Sequence, residues 1–263
     1  MYETLDLRRE GPVAWLTLNR PERLNALNPA LVTELRDVFS GFASEPETRV
    51  VVLRGAGRAF CAGLDLREPG GDGDASVPAS MRAQRRISEI VLLMRRAPQP
   101  IIACVQGPAC GGGFALALAS DVRIAGESAR MNAAFIRIGL SGCDVGVSYF
   151  LPRLVGASLA AELILTGRFV HAERARELGL VSRVVPDAEL EAAARELVDE
   201  MLATSPLGLR LSKEGLNASL DAGSLEQVVA LEDRNQVLCT RTGDFREGVG
   251  AFLEKRRPVW RDA

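Results

Sequence analysis

Hydrophobic residues follow two different patterns along this chain, continuous runs and helical spacing, and the alternation between the two patterns predicts a mixed α/β protein. Short runs of mostly apolar residues are typical of buried strands, and such runs occupy residues 13–18, 50–53, 101–105 and 122–125. A further strand-like segment, residues 3–10, precedes the first run. The Gly11-Pro12 pair between these two segments predicts a hairpin-like start to the chain.

Between the apolar runs, hydrophobic residues recur at helical spacing. Asn28 followed by Pro29 predicts the N-cap and the first residue of a helix. The apolar positions of this helix are Leu31, Leu35, Val38, Phe39 and Phe42. A second helix is predicted to begin at Ser80 and to end before Pro98, with Ile87, Ile90, Val91 and Met94 on one face. The Gly- and Asp-rich segment 69–78 before it is predicted to be a mobile loop.

Strand-like runs give way to helical patterns in the C-terminal part of the chain. From Glu189 onward an amphipathic stripe predicts another helix, formed by Leu190, Ala194, Leu197 and Met201. We therefore divide the chain into a core, residues 1–203, and a helical C-terminal region, residues 204–263. The C-terminal region is predicted to pack on the core or on another subunit.

Composition and charge narrow the possible functions. The chain has 263 residues, of which 47% are hydrophobic and 25% charged, and its formal net charge is −2. These values are typical of a globular protein and provide no basic field for nucleic acid. The N-terminus lacks the apolar segment of a signal peptide, and no charge-free apolar run is long enough to span a bilayer. We therefore expect a cytoplasmic protein that binds neither nucleic acid nor membrane.

The cysteines and the single histidine do not indicate a metal site. The five cysteines are odd in number and none are in C-x-x-C spacing, so neither metal binding nor disulfides are predicted. Cys61 and Cys110 are predicted to pack as small side chains, because a catalytic thiol would need a nearby base. The one histidine, His171, lies far away in sequence and precedes a helix-like run, which favours a structural role.

Two glycine-containing turns are the most informative feature of the chain. Residues 57–66 and 108–115 each follow an apolar run, and each precedes helix-compatible sequence. This weak internal repeat of a strand–turn–helix unit predicts stacked ββα units. Glycine lets a ligand approach the backbone, and the first N–H groups of a helix have no intrahelical partner. Two such turns that converge would form a cradle for an oxyanion developing on a carbonyl group.

These turns also carry a resemblance to the enoyl-CoA hydratase/isomerase (crotonase) family. The matching motifs, in the family's order, are LNRPERLNAL at 18–27, FCAGLDL at 60–66, VQGPACGGG at 105–113, LTGR at 165–168 with ELGLV at 177–181, and FLEKRRP at 252–258. Each motif alone is weak, but together they cover essentially the whole chain. The resemblance implies an α/β fold, a crotonase-like ββα spiral core with a C-terminal helical region that forms a homotrimer or a dimer of trimers. It also implies a hydratase (lyase) or isomerase of fatty acid metabolism.

The resemblance further implies how an acyl-CoA substrate would bind. The backbone N–H groups of Leu64 and Gly112 would hold the thioester carbonyl oxygen. The positions that the family uses for coenzyme A correspond to Arg23 and Arg67 near the phosphates, to Ala26, Ala62, Asp65 and Leu66 along the adenine part, and to Phe252 and Lys255 at the edge of the pocket, from this or a neighbouring subunit. Coenzyme A belongs to the substrate, so we expect no separate cofactor and no metal.

The chain departs from the hydratase pattern at both catalytic positions. The two glutamates that the family's hydratases use correspond here to Ala115 and Phe135, and neither side chain transfers protons. Asp144 lies close to the position of an acidic residue in family members that isomerise dienoyl-CoA. It is a candidate for a single general base whose pKa an apolar pocket would raise. An N-cap or turn residue is an equally good interpretation of Asp144.

Three functions therefore remain open from the sequence. The first is single-base chemistry by Asp144, such as migration of a double bond in an acyl-CoA. The second is a catalytically silent acyl-CoA-binding protein, because both glutamates are replaced. The third is a thioester hydrolase or dehalogenase that uses Asp144 as a nucleophile.

Overall fold

A computed structural model describes residues 2–68 and 76–263. The predicted loop at 69–78 lies mostly outside these residues. The last two residues of this segment, 77 and 78, are helical, because the second helix begins at Val77 rather than at Ser80. Ser76 is the N-cap of this helix and accepts a hydrogen bond from the N–H of Ala79. The sequence prediction missed this start because a serine stands at both 76 and 80.

The strands form two sheets. The larger sheet has six strands in the order β1-β2-β3-β4-β6-β9, and the smaller sheet has the order β5-β7-β8. The strands are β1 (Leu5–Glu10), β2 (Val13–Leu18), β3 (Val50–Gly55), β4 (Ile101–Val105), β5 (Pro108–Cys110), β6 (Val122–Gly126), β7 (Arg130–Asn132), β8 (Val170–His171) and β9 (Arg183–Val185). Strands β1 and β2 form the predicted antiparallel hairpin, and every other neighbouring pair in the larger sheet is parallel.

The helices connect successive strands or follow the last of them. They are α1 (Pro29–Gly41), α2 (Val77–Arg96), α3 (Gly112–Ala119), α4 (Val147–Val155), α5 (Ala157–Thr166), α6 (Ala172–Glu177), α7 (Leu190–Leu202), α8 (Pro206–Ser219), α9 (Leu225–Thr240) and α10 (Gly243–Leu253). As predicted, Asn28 caps α1 by accepting a hydrogen bond from the N–H of Leu31, and Pro29 is its first residue.

The repeated unit of the fold is a long strand, a short strand and a helix. Strand β4 continues into the short strand β5 and then into α3, and β6 continues in the same way into β7. In the preceding unit β3 leads to Cys61, which forms a single parallel bridge with Ala109 of β5. The predicted ββα spiral core is therefore confirmed. The spiral places the turn that follows β3 beside the turn that follows β4.

The larger sheet separates two hydrophobic clusters. One face carries the side chains of Leu16, Leu53 and Ala103 toward the helices α1 to α6, where the larger cluster lies. The other face carries Trp15 and Val52 among others, and the apolar side of α7 covers them. The parallel strands are apolar on both faces because both faces are covered, which is why they read as continuous hydrophobic runs in the sequence.

The C-terminal helices are joined to the core by a buried ion pair. The Nζ of Lys213 on α8 lies 2.8 Å from the Oδ2 of Asp121 and donates to the carbonyl oxygens of Met94 and Gln99. Within the described residues no strand follows β9, in agreement with the predicted helical region. The boundary at 203–204 stays a prediction. No described helix combines the length and apolarity needed to cross a membrane.

Candidate active site

The two glycine turns lie against each other, so closely that side chains would not fit between them. Cys61 donates its N–H to the carbonyl of Pro108, and its own carbonyl accepts from the N–H of Cys110. A Cβ placed on Gly63 would lie 2.8 Å from the carbonyl oxygen of Cys110, and one placed on Gly113 would lie 2.1 Å from that of Cys61. Glycine is needed at these positions because the backbones of the two turns pack directly together.

The first turn directs the N–H of Leu64 away from the segment of the chain that contains Leu27. Leu27 donates its N–H to the carbonyl of Gly63 and accepts, at its own carbonyl, the N–H of Asp65. Leu64 is the bridged residue between these two, so its N–H points to the opposite side. This N–H has no hydrogen-bond partner in the described part of the chain.

The second turn leaves the N–H of Gly112 without a partner in the same way. Gly111 precedes α3 with φ of 51° and donates its N–H to the carbonyl of Asn132. Gly112 is the first residue of α3, so no earlier turn of the helix can accept its N–H. No acceptor for it exists among residues 2–68 and 76–263. A Cβ placed on Gly63 would lie 3.6 Å from the nitrogen of Gly112, so the two turns bring this amide close to the first one.

The side chains at the two family glutamate positions are apolar and buried beside the second turn. Ala115 lies one helical turn after Gly111 and is fully buried. Phe135 is 8% exposed. A Cβ placed on Gly111 would lie 3.3 Å from the Phe135 ring, so the ring packs directly on the glycine turn. These positions provide no proton donor or acceptor.

Asp144 is a half-buried carboxylate in the turn that precedes α4. Its carbonyl accepts the N–H of Val147, and its side-chain Oδ1 accepts the N–H of Val145 at 2.8 Å. Burial raises the pKa of Asp144 above its ordinary value, although hydrogen bonds from Val145 and Gln84 act in the opposite direction. Asp144 is therefore a turn residue and also a carboxylate with a raised pKa, and its role as a general base stays a prediction.

Gln84 of α2 is a residue that the sequence analysis missed. Its Nε2 donates to Oδ1 of Asp144 at 2.6 Å, across 60 residues of sequence. Nothing local distinguishes this glutamine from the other polar residues of a predicted helix. Only the packing of α2 near the start of α4 reveals it.

The predicted coenzyme A positions near the N-terminus come together with those of the first turn. The N–H of Ala62 donates to the carbonyl of Leu24, and the N–H of Ala26 donates to that of Arg23. Leu66 is 61% exposed, and Arg67 beside it is exposed as well. These two loops therefore lie side by side and form one continuous rim next to Leu64.

The side chain of Asp65 points into the protein rather than toward this rim. Its Oδ2 lies 3.0 Å from Nη1 of Arg20, whose side chain is only 8% exposed and which also donates to the carbonyl of Ala26. Burial opposes ionisation of Asp65, but hydrogen bonds from the backbone of Arg67 and from Arg20 hold its pKa below its ordinary value. Arg20 lies in the motif at 18–27, but its pairing with Asp65 was missed because the two residues are 45 positions apart in the sequence.

Phe252 and Lys255 are not brought to this site within the described chain. Phe252 is on α10 and is 82% exposed, and the N–H of Lys255 donates to its carbonyl. No described hydrogen bond or ion pair connects either residue to the rim. Their role at a pocket edge stays a prediction that would need a neighbouring subunit.

The thiols and the histidine fit the structural roles predicted for them. Burial raises the pKa of Cys61 to about 12 and that of Cys110 to about 11, so neither is a thiolate at neutral pH. His171 is exposed, lies on β8 opposite Arg130 and directly precedes α6. The described residues contain no group of three metal-ligating side chains.

The spiral of ββα units, followed by a helical C-terminal region, is the fold of crotonase-type enzymes. The family model for enoyl-CoA hydratase/isomerase matches residues 8–263. The chain therefore belongs to the enoyl-CoA hydratase/isomerase family, and it is a hydratase or isomerase of that family.

Individual relatives cover nearly the entire chain. "Probable enoyl-CoA hydratase EchA12" of Mycobacterium tuberculosis is 41% identical over 95% of this chain and 90% of its own length. The 1,2-epoxyphenylacetyl-CoA isomerase of Escherichia coli is 38% identical over 98% of both chains. The crystal structure of enoyl-CoA hydratase from Bacillus anthracis superposes with a TM-score of 0.93 at 35% identity, and covers 99% of this chain and 100% of that one.

Proposed function

We propose that this enzyme stabilises the enolate of an acyl-CoA thioester between the N–H groups of Leu64 and Gly112. The observation that carries this proposal is that neither amide has a hydrogen-bond partner among the described residues, while their turns pack directly against each other. An enolate concentrates negative charge on the thioester oxygen. Two fixed N–H donors would stabilise that charge more than they stabilise the neutral carbonyl.

We infer that Asp144 is the single acid and base, and that the reaction is migration of a double bond. In a β,γ-unsaturated acyl-CoA, the carboxylate of Asp144 removes a proton from Cα, and the electrons of that C–H bond form a dienolate. The carboxylic acid then returns the proton to Cγ, which leaves an α,β double bond and restores the carboxylate. No atom is gained or lost, so one titratable group is sufficient.

Hydration is disfavoured by the side chains beside the second turn. Adding water across a double bond requires one group to activate the water and another to protonate Cα. Ala115 and Phe135 have no titratable atoms, and the Phe135 ring packs on Gly111, where it would exclude water. One relative is named 1,2-epoxyphenylacetyl-CoA isomerase, so isomerisation of an acyl-CoA occurs among proteins similar to this chain.

We also propose that the rim formed by residues 20–28 and 62–68 binds coenzyme A. Arg23 and Arg67 would contact its phosphates, and backbone groups of Ala26, Ala62, Asp65 and Leu66 would line the adenine part. Phe252 and Lys255 would join this site from a neighbouring subunit of a homotrimer or a dimer of trimers. The exposed apolar side chains of the C-terminal helices, such as Leu225 and Leu253 at 74% and 73% exposed, support such an assembly.

The oxyanion site is tested by two substitutions at one residue. Gly112→Pro removes the N–H, and Gly112→Ala keeps it while adding a Cβ whose nearest described neighbour is the flexible Cδ1 of Leu27, at 2.7 Å. We expect the proline variant to lose about 10²–10³-fold in kcat and the alanine variant to lose far less. Binding of an acyl-CoA, measured by calorimetry, should survive in both. Equal activity of the two variants would contradict the proposal.

The reaction is tested with purified protein and two series of thioesters, the β,γ-unsaturated and the α,β-unsaturated acyl-CoAs. We expect conversion of β,γ-unsaturated to α,β-unsaturated acyl-CoA, exchange of the Cα hydrogen in D₂O, and no appreciable hydration. Asp144→Asn should lower the rate by about 10²–10⁴-fold. Hydration that persists in Asp144→Asn would refute the single-base mechanism. Thioester binding with neither turnover nor exchange would establish the silent acyl-CoA-binding protein instead. A trapped aspartyl adduct, detected by mass spectrometry, would establish the nucleophilic role of Asp144.

A further inference from the structure

The two oxygens of the Asp144 carboxylate have different environments. Oδ1 accepts hydrogen bonds from Nε2 of Gln84 at 2.6 Å and from the N–H of Val145 at 2.8 Å. Oδ2 accepts none within the described chain. A carboxylate that is saturated at one oxygen and open at the other has only one favourable position for a transferred proton.

Within the described chain no charged side chain contributes to the shifted pKa of Asp144, which burial and two hydrogen bonds account for. Helix α3 has no titratable residue, and the only one on α5, Glu162, pairs with Arg168. On α4, Tyr149 and Arg153 are paired with Asp221, and the neighbouring Cys143 is exposed. On α2 the arginines closest to Gln84 are exposed; they are Arg82, Arg85 and Arg86. The hydrogen bond from Gln84 is therefore the main side-chain influence on this carboxylate.

We propose that Gln84 is a positioning residue that fixes the Asp144 carboxylate so that only Oδ2 exchanges protons with the acyl group. This inference rests on the proposed role of Asp144. In the ionised state the amide of Gln84 holds Oδ1, and the free oxygen faces the proton to be removed. In the protonated state the proton is on Oδ2, and the bond from Gln84 remains. One arrangement therefore serves both halves of the isomerisation.

An uncharged donor suits this role better than a charged one. A lysine or arginine in the position of Gln84 would stabilise the carboxylate and weaken it as a base. A glutamate would repel the carboxylate of Asp144 and raise its pKa further. The amide orients the carboxylate without a net charge and does not titrate itself, so the basicity that burial provides is retained.

The test uses substitutions of opposite charge at residue 84, together with an uncharged one. Gln84→Glu should move the Asp144 titration to higher pH and Gln84→Lys should move it to lower pH. Gln84→Met, which has similar length but no donor, should move it modestly upward, since a bond to the charged form is lost. The titration is followed by ¹³C NMR of aspartate carboxyl groups in the full-length protein, with Asp144→Asn to assign the signal. This readout needs no substrate.

Turnover provides the second readout. With a β,γ-unsaturated hexenoyl-CoA, Gln84→Met should lower kcat about tenfold with KM nearly unchanged, and the acidic limb of kcat/KM should move in the directions given above. Ser88→Glu and Ser88→Lys place the same charges one turn further along α2 and should have much smaller effects. Thermal unfolding checks that every variant is folded.

The outcomes separate this inference from the proposed function. If Asp144→Asn is inactive while all three Gln84 variants keep the wild-type titration and kcat, Gln84 has no positioning role and the inference is overturned. If Asp144→Asn retains activity, the proposed function itself fails. Opposite shifts for the glutamate and lysine variants, with a lower kcat for the methionine variant, would establish Gln84 as the positioning residue.

Discussion

Leu27 connects the two turns of the candidate active site and contacts both of them. Its backbone hydrogen-bonds to the residues on either side of Leu64, and its nitrogen lies 2.7 Å from the carbonyl oxygen of Gly63. Its side chain is 2% exposed, and its Cδ1 would lie 2.7 Å from a Cβ placed on Gly112. One residue thus orients the amide of Leu64 by its backbone and supports that of Gly112 by its side chain.

Leu27→Ala should therefore affect the second turn more than the first. The backbone bonds to Gly63 and Asp65 do not need the side chain, but the space beneath Gly112 would be left empty. We expect the free energy of unfolding to fall by about 2–4 kcal/mol and kcat to fall more than KM rises. Leu27→Met, which conserves volume, is the control and should cost less than about 1.5 kcal/mol. Chemical denaturation and steady-state kinetics measure both effects. A variant with the lost stability but an unchanged kcat would show that the side chain does not support the site.

Gly113→Ala should disrupt the packing of the two turns. A Cβ at this position would lie 2.1 Å from the carbonyl oxygen of Cys61, and backbone on both sides leaves little room to move. We expect destabilisation of about 3 kcal/mol or more. The matched control is Gly215→Ala on α8, where a Cβ meets nothing within 4 Å. That substitution should stabilise the protein by up to about 1 kcal/mol through helix propensity. Similar melting temperatures for the two variants would contradict this account of the contact.

Arg20→Met should leave the buried Asp65 carboxylate without its ion-pair partner, although the backbone N–H of Arg67 still donates to it. Breaking a buried ion pair in this way costs about 3–5 kcal/mol. The double variant Arg20→Met/Asp65→Leu should recover part of that loss. Chemical denaturation of the wild type, the two single variants Arg20→Met and Asp65→Leu, and the double variant completes the double-mutant cycle.

The pH dependence of this ion pair has a defined sign. The pKa of Asp65 is lowered in the folded protein, so its contribution to stability exists above the unfolded-state pKa and is lost as the pH falls through the folded one. Arg20→Met should reduce this acid-induced loss. Unfolding curves with identical pH dependence in the wild type and the variant would rule this out.

Asp144→Asn should make the protein more stable at neutral pH although it removes activity. Burial raises the pKa of Asp144 in the folded protein, so the folded state binds the proton more tightly than the unfolded state does. The ionised group therefore destabilises the fold above the folded-state pKa, and the penalty disappears below the unfolded-state pKa, where both states are protonated. We expect a higher melting temperature than the wild type at pH 7 and no difference at about pH 3, by calorimetry. A lower melting temperature at pH 7 would indicate that the charge is stabilised in the fold.

Much of the architecture was predictable because the relevant signals are local. The hairpin around Gly11-Pro12, the capped start of α1 and the long apolar strands were all confirmed. The strands β5, β7, β8 and β9 were missed, since they contain two or three residues each and no pattern of two or three residues can establish a period. The start of α2 was placed three residues late for want of a distinctive cap.

The sequence by itself determined the family, the order of the ββα units and the glycines on which the two turns depend, because each of these is carried by residues that are neighbours in the chain. Only the tertiary structure decided that Gln84 reaches Asp144, that Arg20 neutralises Asp65, and that Leu27 contacts both of the turns that carry the amides of Leu64 and Gly112. Leu27 is 37 positions from Leu64 and 85 from Gly112 in the sequence, and Gln84 is 60 positions from Asp144. These contacts arise because the spiral stacks successive turns, so that distance along the chain no longer determines distance in space.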